Sequence, residues 1–330
     1  MIRRWGPPVV FLLGVGLGAL LAVKAGLGAI GAALARIGWA GVAEVSLLQV
    51  VALLLCAAAW RAVSGQANFG ATAAARWVRD GASNLVGFIP AIGEAISSRA
   101  LSLISGAGGR EAAASTIVDV AAEQLALGVY SLIGLMLLLP HLGVAQAGHW
   151  AIIVAAASIP VVGVYLLSRH PGALRLAERL AYKVMGRTPE PGRVGVAEAV
   201  EAIYARRGRA AAAMLLHLVA WTMGAVQVWV AARLLGTTIS FGDCVALESL
   251  VYALRAAAFI VPMAAGVQEG GFLLVGKVIG LDPTQALALS LILRARDVIV
   301  GAPGVILWYA AEARHAARRR RSAEAKTSAV

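Results

Sequence analysis

Long apolar runs separated by short polar intervals dominate the pattern along the chain. A helix that crosses a bilayer needs about 20 mostly apolar residues, and four runs meet this cleanly: Val42 to Val63, Ile117 to Leu139, Trp150 to Leu167 and Ala210 to Leu235. Pro8 to Val23 is shorter, apolar throughout, and follows Arg3 and Arg4. A signal peptide is the competing reading of that start. The apolar character resumes at Gly26 to Ile30 without a convincing small-residue cleavage site, which favours a span. Thr284 to Ala310 is the last long run, interrupted by Arg294, Arg296 and Asp297.

Two further stretches are apolar yet broken. Residues 81 to 104 carry Pro90, Gly93, Glu94 and Arg99, and residues 247 to 279 carry Glu248, Arg255, Pro262, Gly266, Glu269, Gly270 and Gly271. Each reads as two short helical pieces around a Pro/Gly bend. Non-helical backbone at membrane depth survives only where protein or water satisfies its amides, so both stretches predict re-entrant or broken hairpins lining a cavity.

Composition agrees with the pattern. Of 330 residues, 60% are hydrophobic and 14% charged, against roughly 45–50% and 25% in soluble domains. The balance of 29 Lys+Arg against 17 Asp+Glu gives +12, which in so apolar a chain points to cationic loops beside an anionic bilayer and not to nucleic acid. Nine cations and four acids lie between Ser168 and Arg209; six cations and two acids follow Ala311. The positive-inside bias makes both segments cytoplasmic. An all-α polytopic architecture of six full spans plus two re-entrant hairpins satisfies this with both termini inside. Eight full spans satisfy it equally. The Arg318 to Arg321 run serves as an orientation anchor on anionic headgroups, and the 174–185 stretch has the apolar spacing of an interfacial amphipathic helix.

The two broken stretches resemble each other in order. Glu94 is followed by Gly106 and a helix holding Ser115 and Glu123; Glu269 is followed by Gly280 and a helix holding Ser290 and Arg296. This predicts an inverted repeat, with residues 1–145 as the first copy, 146–311 as the second (including a cytoplasmic loop at 168–209), and 312–330 as a basic tail. Inverted repeats whose broken helices meet near the midplane recur in alternating-access transporters.

Charges at the bilayer centre cost roughly 2.5–3.5 kcal/mol each and normally face a cavity or one another. Asp119 and Glu123 share a helical face at i,i+4; Glu248, Tyr252 and Arg255 share another; Arg294 and Asp297, at i,i+3, are positioned to pair within their helix. Cys56 and Cys244 and the five histidines lack ligand spacing, so no metal, cofactor or disulfide framework is expected. The Gly106-Ala-Gly-Gly-Arg110 segment lacks the Lys-Ser/Thr ending of a nucleotide-binding loop. No Ser/His/Asp or Cys/His constellation is visible.

The segments Ala75-Arg-Trp-Val-Arg-Asp80 with Asn84, Ala114-Ser-Thr-Ile-Val-Asp119, Glu248-Ser-Leu-Val-Tyr-Ala-Leu-Arg255, Phe259-Ile-Val-Pro262, Gly266-Val-Gln-Glu-Gly270 and Ala286 to Asp297 resemble the HpnL family of hopanoid-cluster membrane proteins. That family lies within the flippase-like superfamily, which is similar to the membrane region of lysylphosphatidylglycerol synthases. The family pattern has a proline three residues after the asparagine, where this chain has Gly87. The resemblance implies lipid translocation or handling in the bacterial inner membrane, with a hopanoid or phospholipid as partner and lipid-biosynthesis enzymes as candidate associates.

The residues expected at the translocation site are Asn84, Glu94, Arg99, Asp119, Glu123, Glu248, Tyr252, Arg255, Gln268, Glu269, Arg296 and Asp297, with Pro90, Gly93, Pro262, Gly266, Gly270 and Gly271 as hinges. Glu94, Gln268 and Glu269 are expected to line the centre of one cleft, and Arg99, Arg255 and Arg296 to hold a headgroup. A lipid-modifying membrane enzyme and a non-catalytic scaffold are the alternative functions.

Overall fold

The computed structural model describes residues 27–65, 67–86, 91–185, 195–258 and 266–327. The expected first span at 8–23 and the bend prolines Pro90 and Pro262 lie outside them. Among the described residues the fold is all-helical: eleven α-helices and one 3-10 turn. In chain order α1 is Leu27–Val63, α2 Phe69–Leu85, α3 Ile92–Ser105, α4 Gly109–Leu138, α5 Val144–Arg169, α6 Pro171–Met185, α7 Val196–Tyr204, α8 Arg207–Leu234, α9 Phe241–Ala257, α10 Val267–Val278 and α11 Pro283–Thr327.

Four helices are long and apolar enough to cross a membrane, at Ala35–Val63, Gly109–His141, Gln146–Arg169 and Arg207–Leu234. Three contain one of the four cleanest apolar runs whole, and the fourth contains all of its run but Leu235. A left-handed Gly38 (φ 63°) breaks α1 just inside the first of them. Leu47, Ile152, Ile159, Leu166, Leu215 and Ile306 point outward from these helices and α11. In water such an apolar exterior would be a liability; against lipid tails it is the expected surface.

The helices after α1 and after α8 follow the same order. α2 and α9 have 17 residues each, and the short helices α3 and α10 have 14 and 12. Asn68 caps α2 by accepting from Ala71 N–H at 2.8 Å. Ser240 caps α9 in a reciprocal box with Asp243. A left-handed residue precedes each short helix, Ala91 (φ 60°) and Gly266 (φ 75°), and each is followed three residues later by a first-turn acid, Glu94 and Glu269. Packing is exchanged between the halves: α2 lies against α11 as α9 lies against α4, and α1 against α11 as α8 lies against α4. Helices α1 and α8 pack on each other.

Candidate functional site

Helices α2, α3 and α4 converge on a buried ionic cluster. Arg76 and Arg79 leave the same side of α2. Arg76 Nη2 donates to Glu123 Oε1 at 2.8 Å, and its Nε lies 2.9 Å from Asp80 Oδ1. Arg79 donates to Glu123 Oε2 at 2.6 Å, Asp119 Oδ2 at 3.2 Å and Glu94 Oε1 at 3.2 Å. His217 Nε2 of α8 lies 2.9 Å from Asp119 Oδ1. Asp119 and Glu123, one turn apart, therefore both address Arg79, as their spacing requires. A carboxylate or guanidinium alone at this depth would be costly; here each ion is held by another.

A second cluster joins α8, α9, α10 and α11. Arg296, 1% exposed, donates through Nη2 to Asp297 Oδ1 at 2.7 Å and through Nη1 to Gln227. Arg255 donates to Gln268 Oε1 at 2.9 Å, and Gln268 in turn donates to the Ser290 carbonyl at 3.1 Å. The Arg255 guanidinium also sits over the Tyr252 ring, 4.8 Å from its centroid, and Tyr252 meets Trp221 edge-on at 4.6 Å.

A cavity of about 190 Å³ opens between the two clusters. Asn84, Glu94, Glu123, Glu248, Tyr252, Arg255, Arg296 and Asp297 of the expected set line it. Nine charged side chains do so in all, and seven are in ion pairs: Arg76 with Asp80 and Glu123, Arg79 with Glu94 and Glu123, and Arg296 with Asp297. The exceptions stand on one helix. Glu248, 1% exposed, has an Oε1 with no hydrogen-bond partner, and among the described residues no carboxylate lies within ion-pair distance of Arg255.

Four expected residues are placed elsewhere. Asp119 is wholly buried behind Arg79. Gln268 stands one residue back from the cavity and acts on it through Arg255. Glu269, about 100° further round α10, turns to Arg294 of α11 at 3.0 Å. Glu94 and Glu269 therefore do not share the cleft. Arg99, five residues and so about 140° round α3 from Glu94, is half exposed and forms a two-pronged pair with Glu312 at the far end of α11. That pair holds the Glu312 carboxyl below its ordinary pKa range. Arg294 and Asp297 likewise do not pair within α11, since Asp297 is taken by the adjacent Arg296.

Among the hinge candidates, Gly93 and Gly271 are close-packing positions: a Cβ on Gly93 would meet the Arg79 carbonyl at 2.9 Å, and one on Gly271 would meet Val251 at 3.1 Å. Gly266 supplies the left-handed turn, and Gly270 faces open space.

Sequence reasoning missed Arg76, Arg79 and Asp80 as site residues, because they precede the broken stretch at 81–104; their i, i+3, i+4 spacing on an otherwise apolar helix is the signal that could have found them. Gln227 and Trp221 carry no such signal. The fold also unites Cys56, Glu123 and His217, with one ligand atom of each lying within 4.8 Å of the others. Both oxygens of Glu123 already accept from arginines, and His217 Nε2 faces Asp119, so this trio is first a part of the ionic cluster. Cys56 and Cys244 are free thiols.

The family model described as the lysylphosphatidylglycerol synthase TM region matches residues 9–304. Searches of curated proteins and of solved structures give no significant match.

Proposed function

The chain belongs to the family of the lysylphosphatidylglycerol synthase membrane region, and on that premise we propose that it translocates or handles a membrane lipid whose headgroup enters the ionic cavity while its tails stay in the bilayer. The observation that carries this is the contrast between seven paired ions and the unpaired Glu248 and Arg255. Paired charges hold the bundle together. A carboxylate oxygen without a partner and a guanidinium whose hydrogen bond goes to a neutral amide have capacity left for a ligand.

Glu248 accepts a hydroxyl or ammonium donor, and Arg255 donates to a phosphate or hydroxyl oxygen. Because the other arginines are already neutralised, the cavity suits a headgroup bound mainly by hydrogen bonds. The motif resemblance to the HpnL family narrows that headgroup to a hopanoid or related lipid. The reading further includes six full spans and two re-entrant hairpins as an inverted repeat in the inner membrane, with both termini and the 168–209 loop cytoplasmic. What supports it is the repeated helix order and the exchanged packing of α2 on α11 and α9 on α4. Helices α3 and α10, about 21 and 18 Å long at 1.5 Å per residue, fall short of the roughly 30 Å of hydrocarbon that a span must cross.

Leaflet exchange of a fluorescent headgroup-labelled lipid in vesicles reconstituted with wild type, Glu248→Gln or Arg255→Ala tests the proposal. Exchange at least tenfold slower in both variants is the expected result. Equal rates in all three overturn it.

A further inference from the structure

A second cleft lies at the end of the bundle that carries the basic connection between α5 and α8. Two adjoining cavities of about 300 and 330 Å³ share Arg169, Tyr204 and Arg207. Arg169 is the last residue of one membrane-length helix and Arg207 the first of another, and both line the two cavities at that end of their helices. Beneath them the first cavity is apolar, floored by Val118 and Leu125 of α4 and by Ala211 and Met214 of α8, with Tyr165 one turn below Arg169. Tyr204 organises the mouth: the Arg169 guanidinium lies 4.4 Å over its ring, and its hydroxyl is 2.7 Å from Ser168 Oγ. Among the described residues neither arginine has a carboxylate within ion-pair distance. The one acid lining either cavity is Glu201, on the rim of the second.

We propose that this cleft holds a phospholipid with an anionic headgroup, taken from the leaflet beside the basic connection, its phosphate between Arg169 and Arg207 and one acyl chain along the α4–α8 floor. The charge is complementary: two uncompensated guanidiniums at headgroup height above an apolar slot fit one phosphate and one hydrocarbon chain. A zwitterionic lipid brings its own cation to a place that already has two. The site shares no lining residue with the central cavity, and it stands whether or not that cavity moves a lipid. Helix α4 separates them, turning Glu123 to one and Val118 and Leu125 to the other.

The test is lipid retention by the full-length protein in detergent, read by native mass spectrometry after addition of phosphatidylglycerol or phosphatidylcholine of the same chain length. Wild type retains phosphatidylglycerol preferentially. Arg169→Ala with Arg207→Ala reduces that preference about thirtyfold, in line with the contribution of two basic residues at a headgroup. The charge-matched pair Arg233→Ala with Lys277→Ala, exposed and outside the cavity linings, with Arg233 at the other end of α8 from Arg207, leaves it intact. Ala211→Trp, which keeps both arginines and fills the floor, also lowers retention, so the result does not depend on the double variant folding. Equal retention of the two lipids by wild type, or an equal loss in the Arg233/Lys277 variant, overturns the proposal.

Discussion

Arg79 and Glu123 meet at 2.6 Å across α2 and α4, and the same guanidinium reaches Asp119 and Glu94. Removing a buried cation of this kind leaves its carboxylates uncompensated, at about 3–5 kcal/mol. Arg79→Ala is therefore expected to lower the thermal midpoint of the detergent-solubilised protein strongly. Arg79→Lys keeps the charge without the fork and falls between. In a double-mutant cycle, Arg79→Ala with Glu123→Ala should cost less than the two losses added.

Glu248 should behave in the opposite way. Its Oε1 has no partner to lose, so Glu248→Gln removes a buried charge without orphaning another. The thermal midpoint of Glu248→Gln therefore falls much less than that of Arg79→Ala, while leaflet exchange drops. Loss of both together would make Glu248 a structural residue and remove it from the site.

Close helix crossings give a third expectation. A Cβ on Gly304 of α11 would collide with the Trp77 carbonyl, whose carbon lies 2.7 Å from the ideal position. Backbone cannot rotate away. A Cβ on Gly134 of α4 would first meet the Ser249 hydroxyl, which can turn aside. Gly304→Ala should destabilise by about 1–3 kcal/mol or more. Gly134→Ala should cost less and be partly relieved by Ser249→Ala, as thermal midpoints of the four variants will show.

The Arg99–Glu312 pair ties α3 to the far end of α11 at a partly exposed position. Because the folded carboxyl is held below its ordinary pKa, the pair contributes stability above the ordinary carboxylate range, and that contribution disappears as the pH falls through the depressed value. At this exposure it amounts to at most about 1 kcal/mol. Midpoints of wild type and Glu312→Gln measured against pH should differ at neutral pH and converge in acid.

Four membrane-length helices and one charged face of the cavity were legible in the sequence because both depend on local spacing. Glu248, Tyr252 and Arg255 share a face at steps of four and three, and that face lines the cavity. The first ionic cluster was less legible. Glu123 is 47 residues from Arg76 and 44 from Arg79, and a sequence read locally shows two unrelated charges where the fold has one network. Glu269 misled for a related reason: its glycine-rich surroundings marked a bend, and one step of 100° round a helix decided whether the bend gave Gln268 or Glu269 to the interior.

Trp77 Nε1 donates to the Val300 carbonyl at 2.6 Å across 223 residues of chain. At about 5–20 residues per second of synthesis, α2 waits roughly 10–45 s for α11 to emerge and cover it. Two arginines facing lipid for that interval would each carry an insertion cost of roughly 2.5–3.5 kcal/mol. Their carboxylates on α3 and α4 leave the ribosome within the next 50 residues or so, a few seconds later at the same rate. The early half of the chain thus neutralises its own charge before the later half arrives, and the order of insertion is written into which acid each arginine holds.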